Sequence, residues 1–173
     1  MKGLMGNRSG FTLVELLIVV IILGVLAAVA IPQFTSNTED AKIAALDTSL
    51  AEMRNAVELY YHQHNAVYPG AKKHTDGSNV ASATEAAAAF VAQMTLYSAA
   101  DGTTSNTKTT THKYGPYLKK GLPANPFTSG QSDLLCDIAT ADISVAASSG
   151  TEAWKFYVKT GRLIANDGGH DTH

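Results

Sequence analysis

Hydrophobic residues are concentrated in one uninterrupted run near the N-terminus. Residues 11–31 read FTLVELLIVVIILGVLAAVAI, a segment of 21 residues in which Glu15 is the one charged position. As a helix this segment would be about 31 Å long, close to the hydrocarbon thickness of a bilayer. Lys2 and Arg8 precede it, whereas the nearest charges after it are acidic. The pattern predicts a membrane-spanning helix with a cytoplasmic N-terminus and the remaining chain on the outer side.

A second pattern predicts that the helix continues beyond this run. Apolar residues recur at spacings of three and four at Ile43, Leu46, Leu50, Met53, Val57 and Tyr60. We expect residues 32–64 to be an amphipathic continuation that packs on the chain's own globular domain, with a lone coiled coil as the alternative. Gly24 and Pro32 are the weak points, and we expect Pro32 to kink the helix where the apolar run ends.

Residues 65–173 show the mixed pattern of a small globular head. A second helix is expected from Ser82, which with Glu85 forms a capping box, as far as Tyr97. The threonine-rich residues 101–113 are expected to be a flexible exposed loop. Residues 114–127 contain several prolines and glycines, which predicts a fixed irregular crossover.

Short strands are predicted in the last third of the chain. The expected strands are at 134–138, around Ile143 and Val145, at 154–159 with alternate residues buried, and at 163–165 after a turn at 160–161. They are expected to form a small antiparallel sheet against the long helix, followed by a disordered polar tail at 166–173. The predicted fold class is therefore α+β.

Three interpretations of the apolar run differ in where the chain is cut. A secretory signal would be removed at Ala28-Val29-Ala30, a simple anchor would remain uncut, and cleavage after Gly10 would remove a short polar leader and keep the helix. Glu15 favours the last, because a carboxylate within a membrane helix costs about 2.5–3.5 kcal/mol and is seldom retained without a partner. Cleavage after Gly10 would create such a partner, the free amine of Phe11.

The stretch Gly10-Phe11-Thr12-Leu13-Val14-Glu15 resembles the prepilin peptidase and methylation motif of type IV pilins and type II secretion pseudopilins. The resemblance continues through Pro32 and is weak beyond it. It implies a leader at 1–10, cleavage between Gly10 and Phe11, and N-methylation of Phe11. It also implies that Glu15 aligns and neutralises a neighbouring subunit, and that the helix between Gly24 and Pro32 loosens on assembly.

The same resemblance implies a pilin-like lollipop fold and a structural role in a filament that polymerises from the inner membrane. The implied partners are copies of the chain, a prepilin peptidase, and an inner-membrane assembly platform with its motor ATPase. Localisation is then single-pass in the inner membrane, followed by an extracellular or periplasmic filament. Type IV pilus and type II secretion pseudopilus both remain open, with a slight preference for the pseudopilus because paired cysteines are absent.

Composition and motifs point away from other classes of function. A net charge of −2 without a clustered basic surface argues against nucleic acid as a partner. The sequence has no phosphate-binding loop, nucleophile elbow or zinc-ligand spacing, so we expect no enzyme activity and no cofactor. Cys136 is expected to be a small buried apolar residue, and His62, His64, His74 and His112 are not expected to be metal ligands.

Two further possibilities are kept as weaker alternatives. Asp167 and Asp171 in the glycine-containing tail are candidate calcium ligands, although a disordered tail is the preferred interpretation. A minor or tip subunit, or a membrane-tethered binding module that uses residues 101–113 as its contact surface, is the alternative function.

Overall fold

The computed structural model describes residues 10–142 and 152–171, together with the backbone but not the side chains of residues 29–37. The chain divides into two units, Met1–Ala41 and Lys42–His173. The expected strand around Ile143 and Val145 lies outside the described residues, as do Lys2 and Arg8.

Helix α1 extends over Leu13–Gln63, which confirms the predicted long helix to within two residues at each end. The backbone remains helical through Pro32, so this residue does not interrupt the helix. Among the described residues, no helix is both long enough and apolar enough to cross a membrane. The predicted span at 11–31 includes three residues, 29–31, whose side chains lie outside the description.

The predicted apolar stripe of α1 forms the centre of the head. Leu46, Leu50, Met53, Val57 and Tyr60 are all buried in the main hydrophobic cluster, while Ile43 at the start of the stripe is half-buried. The spacing of three and four places these side chains on one helix face, and burial of that face stabilises the head by removing apolar surface from water.

Helix α2 extends over Ala83–Thr95 and packs its own apolar face on the same cluster, through Ala86, Phe90 and Met94. The capping interaction predicted for Ser82 is confirmed, since the Glu85 amide donates to Ser82 Oγ over 3.2 Å. The Glu85 carboxylate accepts from the Ala81 amide at 2.8 Å. The helix ends at Thr95, earlier than expected.

The threonine-rich segment is more ordered than the sequence suggested. Strand β1 (Tyr97–Ser98) pairs antiparallel with β2 (Thr104–Ser105), which lies inside the predicted flexible loop. Ser98 also exchanges two backbone hydrogen bonds with Tyr114, at 3.0 and 3.1 Å, and thereby closes the segment from its other end. Only residues 106–111 are continuously exposed. The prediction of one flexible loop over 101–113 was therefore wrong for residues 104–105.

The three-stranded sheet is mixed, which corrects the predicted antiparallel sheet. It has the order β3 (Leu134–Asp137), β4 (Trp154–Tyr157) and β5 (Arg162–Ala165). β4 pairs in parallel with β3 and antiparallel with β5. All four residues of β4 are buried, because it is the central strand of the sheet. Lys155 and Tyr157 are on the face that was expected to be exposed to solvent, and the Lys155 ammonium lies 5.1 Å from the centre of the Tyr157 ring.

The irregular crossover at 114–127 is confirmed, since it contains no helix or strand. The backbone amides of Tyr117 and Leu118 both donate to the Met94 carbonyl, at 2.9 and 2.8 Å. Near the end of the crossover, the Trp154 indole donates to the Pro123 carbonyl at 2.8 Å. These bonds fix the crossover between the end of α2 and the central strand.

Candidate functional site

The predicted processing and assembly residues lie at the start of α1. Gly10 and Phe11 precede the helix and are exposed, and the Phe11 side chain is 77% exposed. Thr12 caps the helix, since the Glu15 amide donates to Thr12 Oγ1 at 3.2 Å. In return, Glu15 Oε2 accepts from the Thr12 amide at 2.9 Å and from Thr12 Oγ1 at 2.8 Å.

This reciprocal arrangement is a capping box, which satisfies donors that the first turn of a helix otherwise leaves unpaired. It also places a negative charge near the positive end of the helix dipole. Both hydrogen bonds to the Glu15 carboxylate end on Oε2, and no described residue donates a hydrogen bond to Oε1. The carboxylate can therefore accept a further donor without giving up its place in the cap.

The first turns of α1 carry an exposed apolar surface. From Leu13 to Leu26, the large hydrophobic side chains are 47–88% exposed. A side chain built on Gly24 would meet no heavy atom within 4 Å. Such a continuous apolar surface is unusual for a soluble monomer and is typical of a segment that contacts lipid or another protein.

The structure brings some of the predicted residues together and leaves others apart. Gly10, Phe11 and Glu15 lie within the first turn or just before it, whereas Gly24 and Pro32 lie further along the helix. The side chain of Pro32 and residues 1–9 of the expected leader lie outside the described part of the chain. The Thr12–Glu15 pair was missed in the sequence, although the spacing Thr-x-x-Glu is the same signal that identified Ser82 and Glu85.

The C-terminal tail is folded up to Asp171, contrary to the expected disorder. The side chain of Asp167 is only 5% exposed. Its Oδ1 accepts from the amides of Gly169 and His170, both at 2.9 Å, and lies 3.1 Å from His170 Nδ1. The His170 ring stacks on Phe127 with centroids 3.8 Å apart, which attaches the tail to the crossover.

The tail therefore uses the candidate calcium ligand Asp167 as a structural acceptor. Burial by itself would raise its pKa, but hydrogen bonds from Gly169, His170 and Asn125 together hold the pKa of Asp167 below its ordinary value. The other candidate, Asp171, is half-buried and also has an interaction partner. No group of three acidic, histidine or cysteine side chains suited to a metal occurs among the described residues.

Two buried polar side chains in the head were not identified from the sequence. His64 Nδ1 donates to the Tyr60 carbonyl at 2.8 Å, and its Nε2 lies 3.0 Å from Ser98 Oγ. Gln93 accepts from the Gly70 amide and donates to the carbonyls of Lys72 and Gly102, all within 2.9 Å. Gln93 lies on the buried face of α2 with Phe90 and Met94, and this position in the helical period was the available signal.

His64 and Cys136 have perturbed acid–base properties for the same reason. Burial lowers the pKa of His64 and raises the pKa of the Cys136 thiol to about 12. His62 in the last turn of α1 is exposed, whereas His64, the first residue after α1, is buried, so the two histidines face different surroundings, as predicted. Cys136 is buried in the hydrophobic cluster, as predicted.

Comparison with known proteins identifies one family model and several relatives. Residues 5–31 match the family described as the prokaryotic N-terminal methylation motif. The type II secretion system core protein G of Pseudomonas aeruginosa is 36% identical over 67 residues, which is 39% of this chain and 46% of that protein. The type IV narrow pilus major component PilA5 of Thermus thermophilus is 47% identical over 53 residues, 31% of this chain and 46% of the relative.

A third relative, the type IV major fimbrial protein FimA of Dichelobacter nodosus, is 43% identical over 51 residues, 30% of this chain and 33% of that protein. The chain thus spans less than half the length of these curated relatives. No solved structure matches the chain. All three relatives are named as pilus or secretion-system components, which agrees with the expectation that the chain is not an enzyme. The chain thus carries the prokaryotic N-terminal methylation motif at residues 5–31 and is similar, over part of its length, to type IV pilus and type II secretion proteins.

Proposed function

We propose that the chain is a structural subunit of a type IV pilin-like filament, inserted in the inner membrane and polymerised from it. The exposed apolar surface from Leu13 to Leu26, with the Thr12–Glu15 cap at its start, is the observation that carries the proposal. An exposed apolar surface of this kind requires lipid before assembly and neighbouring copies after it.

In this proposal a prepilin peptidase cuts after Gly10, and the new N-terminus at Phe11 is methylated. The motif match at residues 5–31 supports this step, because it includes both sides of the cut. An inner-membrane platform and its motor ATPase then supply the work of assembly. Gly24 and Pro32 are the positions where we expect the helix to loosen when copies pack together.

In this proposal, Glu15 sets the register between neighbouring copies of the chain. Its Oε2 is occupied by Thr12 within the same chain, while Oε1 can accept from the Phe11 amine of a neighbour. The named relatives include components of both a pilus and a type II secretion system, so the proposal covers a filament of either kind.

The test compares two substitutions of Glu15 in cells that lack the wild-type chain. Glu15→Leu removes the charge and the side-chain half of the capping box, whereas Glu15→Gln keeps a side chain that can complete the box and removes only the charge. We expect both variants to reach normal membrane levels and to assemble few or no filaments. Leaving the neighbour's amine unpaired in a low-dielectric core costs about 3–5 kcal/mol per subunit. Filaments are counted by electron microscopy.

Processing is measured in the same samples, so that it is separated from assembly. Intact mass should show a chain that starts at a methylated Phe11 in both variants and in the control Val14→Leu, which should also assemble normally. A chain that starts at Ile31 would support the secretory-signal interpretation instead. Filaments of normal number from Glu15→Gln would show that the charge of Glu15 does not set register.

A further inference from the structure

The head contains a cavity that has no part in the proposed assembly. It lies between the C-terminal end of α1, the loop that carries Lys72 and Gly77, and the turn at Ala100–Gly102. Its volume is about 180 Å³, and Tyr60, His64, Lys72 and Asp101 are among the residues that line it. This volume equals that of roughly six water molecules in the liquid, enough for one small ligand.

The Tyr60 hydroxyl lies in this cavity without a protein partner. Tyr60 is only 1% exposed, yet no described residue forms a hydrogen bond with its oxygen. Since no enclosed side-chain nitrogen or oxygen of the described residues lacks a partner, the Tyr60 oxygen must meet solvent through the cavity. By contrast, His64 and Gln93 beside it have their polar atoms bonded. The Tyr60 hydroxyl therefore has a donor and acceptors that the described residues do not use and that a ligand in the cavity can engage.

The glycine at position 102 keeps the hydroxyl accessible. A Cβ on Gly102 would lie 3.3 Å from the Tyr60 oxygen and 2.9 Å from Gln93 Nε2, and the backbone φ of +93° disfavours any side chain there. Asn65, which lines the cavity, and the adjoining Ala66 both have positive φ, at 56° and 58°. Two consecutive non-glycine residues in this region store strain, which concentrates at binding sites more often than elsewhere.

The lining groups favour a small uncharged ligand with several hydroxyls. Burial raises the pKa of Tyr60, so the phenol remains protonated and can both donate and accept a hydrogen bond. Lys72 and Asp101 line the cavity with opposite charges, and because Asp101 Oδ1 already accepts from the amide and hydroxyl of Thr103, Oδ2 is the acceptor left for a ligand. A zwitterionic ligand such as an amino acid would depend on ion pairs with Lys72 and Asp101. Ion pairs at a solvent-open site contribute little to affinity, so an uncharged ligand is favoured.

We propose that this cavity binds a single sugar unit, with the Tyr60 hydroxyl at its base and Lys72 and Asp101 on its walls. The sugar is either a free monosaccharide or the terminal residue of a glycan. For a ligand of about a dozen non-hydrogen atoms, an affinity in the millimolar range is expected.

The test uses the full chain in a sugar-free detergent, because maltoside or glucoside detergents would compete. Saturation-transfer NMR is recorded with glucose, galactose, mannose and N-acetylglucosamine, and with their methyl glycosides, which stand in for a glycan terminus. We expect at least one sugar or glycoside to bind. Tyr60→Phe should weaken that binding about tenfold, the value of one lost hydrogen bond. Its melting temperature should stay close to that of the wild type, because the substitution removes no hydrogen bond between described residues.

The matched control is Tyr61→Phe, which removes a hydroxyl from the next residue of the helix, whose ring stacks on Tyr68. Its sugar binding should equal that of the wild type. Lys72→Met provides a second variant that should also weaken binding. The proposal fails if no sugar or glycoside binds, if Tyr60→Phe binds as tightly as the wild type, or if serine binds and the sugars do not.

Discussion

At the scale of single residues, the head depends on polar side chains placed inside an apolar cluster. The Gln93 amide holds the backbone of Gly70, Lys72 and Gly102 through hydrogen bonds of 2.8–2.9 Å. His64 in the same region connects the end of α1 to β1 through Ser98. Removing either side chain would lower the free energy of unfolding, because its hydrogen-bond partners would be left buried and unpaired.

Replacement of Gln93 should therefore destabilise the head strongly. In Gln93→Leu, several backbone groups lose their partners, and we expect a loss of about 3 kcal/mol in the free energy of unfolding. This corresponds to a fall of roughly 10 °C in melting temperature for a domain of this size. Trp154, the one tryptophan of the chain, is fully buried and reports unfolding by its fluorescence. Asn55→Leu, at an exposed position of α1, is the control and should change stability by less than about 0.5 kcal/mol.

His64 should make the stability of the head depend on pH. Its pKa is lowered by burial in the folded state, so between that value and about 6.5 the unfolded chain binds more protons than the folded chain. Stability therefore falls as pH decreases through this window, by at most about 1.4 kcal/mol per pH unit for one group. Carboxylates with lowered pKa, such as Asp101 and Asp167, add to the loss only below about pH 4.

The measurement is denaturant unfolding at a series of pH values between 7 and 5, followed by Trp154 fluorescence. His64→Gln should reduce the slope of stability against pH, although the variant itself should be less stable at pH 7. His62→Gln, at an exposed position in the last turn of α1, should retain the wild-type slope of stability against pH. An unchanged slope in His64→Gln would assign the pH dependence to other groups.

At the scale of elements, the helices were predictable and the sheet was not. The stripe from Leu46 to Tyr60 and the cap at Ser82 are local signals, and both appear in the structure as expected. The parallel pairing of β3 with β4 depends on a connection of many residues, which leaves no local pattern. Burial of Lys155 in a strand with alternating polarity was also unpredictable, because Tyr157 covers its ammonium only in the folded sheet.

The structure of the tail could not be predicted from local sequence patterns either. Its polar composition suggested disorder, but Asp167 binds amides that turn back on it, and His170 stacks on a ring more than 40 residues earlier. Because the carboxylate is already engaged by these donors and by Asn125 Nδ2 at 3.3 Å, we expect it to be a poor calcium ligand.

We therefore expect calcium to leave the stability of the head unchanged. A ligand of the native state raises the melting temperature in proportion to the logarithm of its concentration once it exceeds the dissociation constant. Thermal unfolding with millimolar calcium and with chelator should coincide. A rise with calcium that disappears in Asp171→Ala would contradict this expectation.

At the scale of the whole molecule, the division at Lys42 separates a unit with exposed apolar side chains from a unit with a buried hydrophobic core. The first unit exposes large apolar side chains, whereas the second contains the main hydrophobic cluster. The sequence indicated this division through the change from a continuous apolar run to a stripe with a period near 3.6 residues.

A chain that starts at Lys42 should consequently fold on its own. We expect it to be soluble and monomeric in sedimentation, with a helical and strand circular dichroism spectrum and cooperative unfolding. The full chain without detergent is the comparison and should associate. Aggregation of the shorter chain, or a random-coil spectrum, would place the boundary elsewhere.

The exposed residues 106–111 have a practical consequence for display of foreign peptides. The segment is held at its base by the hydrogen bonds between Ser98 and Tyr114 and by those between Thr109 and His112. Doubling the length of a closed loop costs only about 0.6 kcal/mol, so an epitope inserted after Asn106 should be accommodated outside the core. In a polymer of such subunits, every copy would carry one epitope, and the spacing between antigens would be the spacing between subunits.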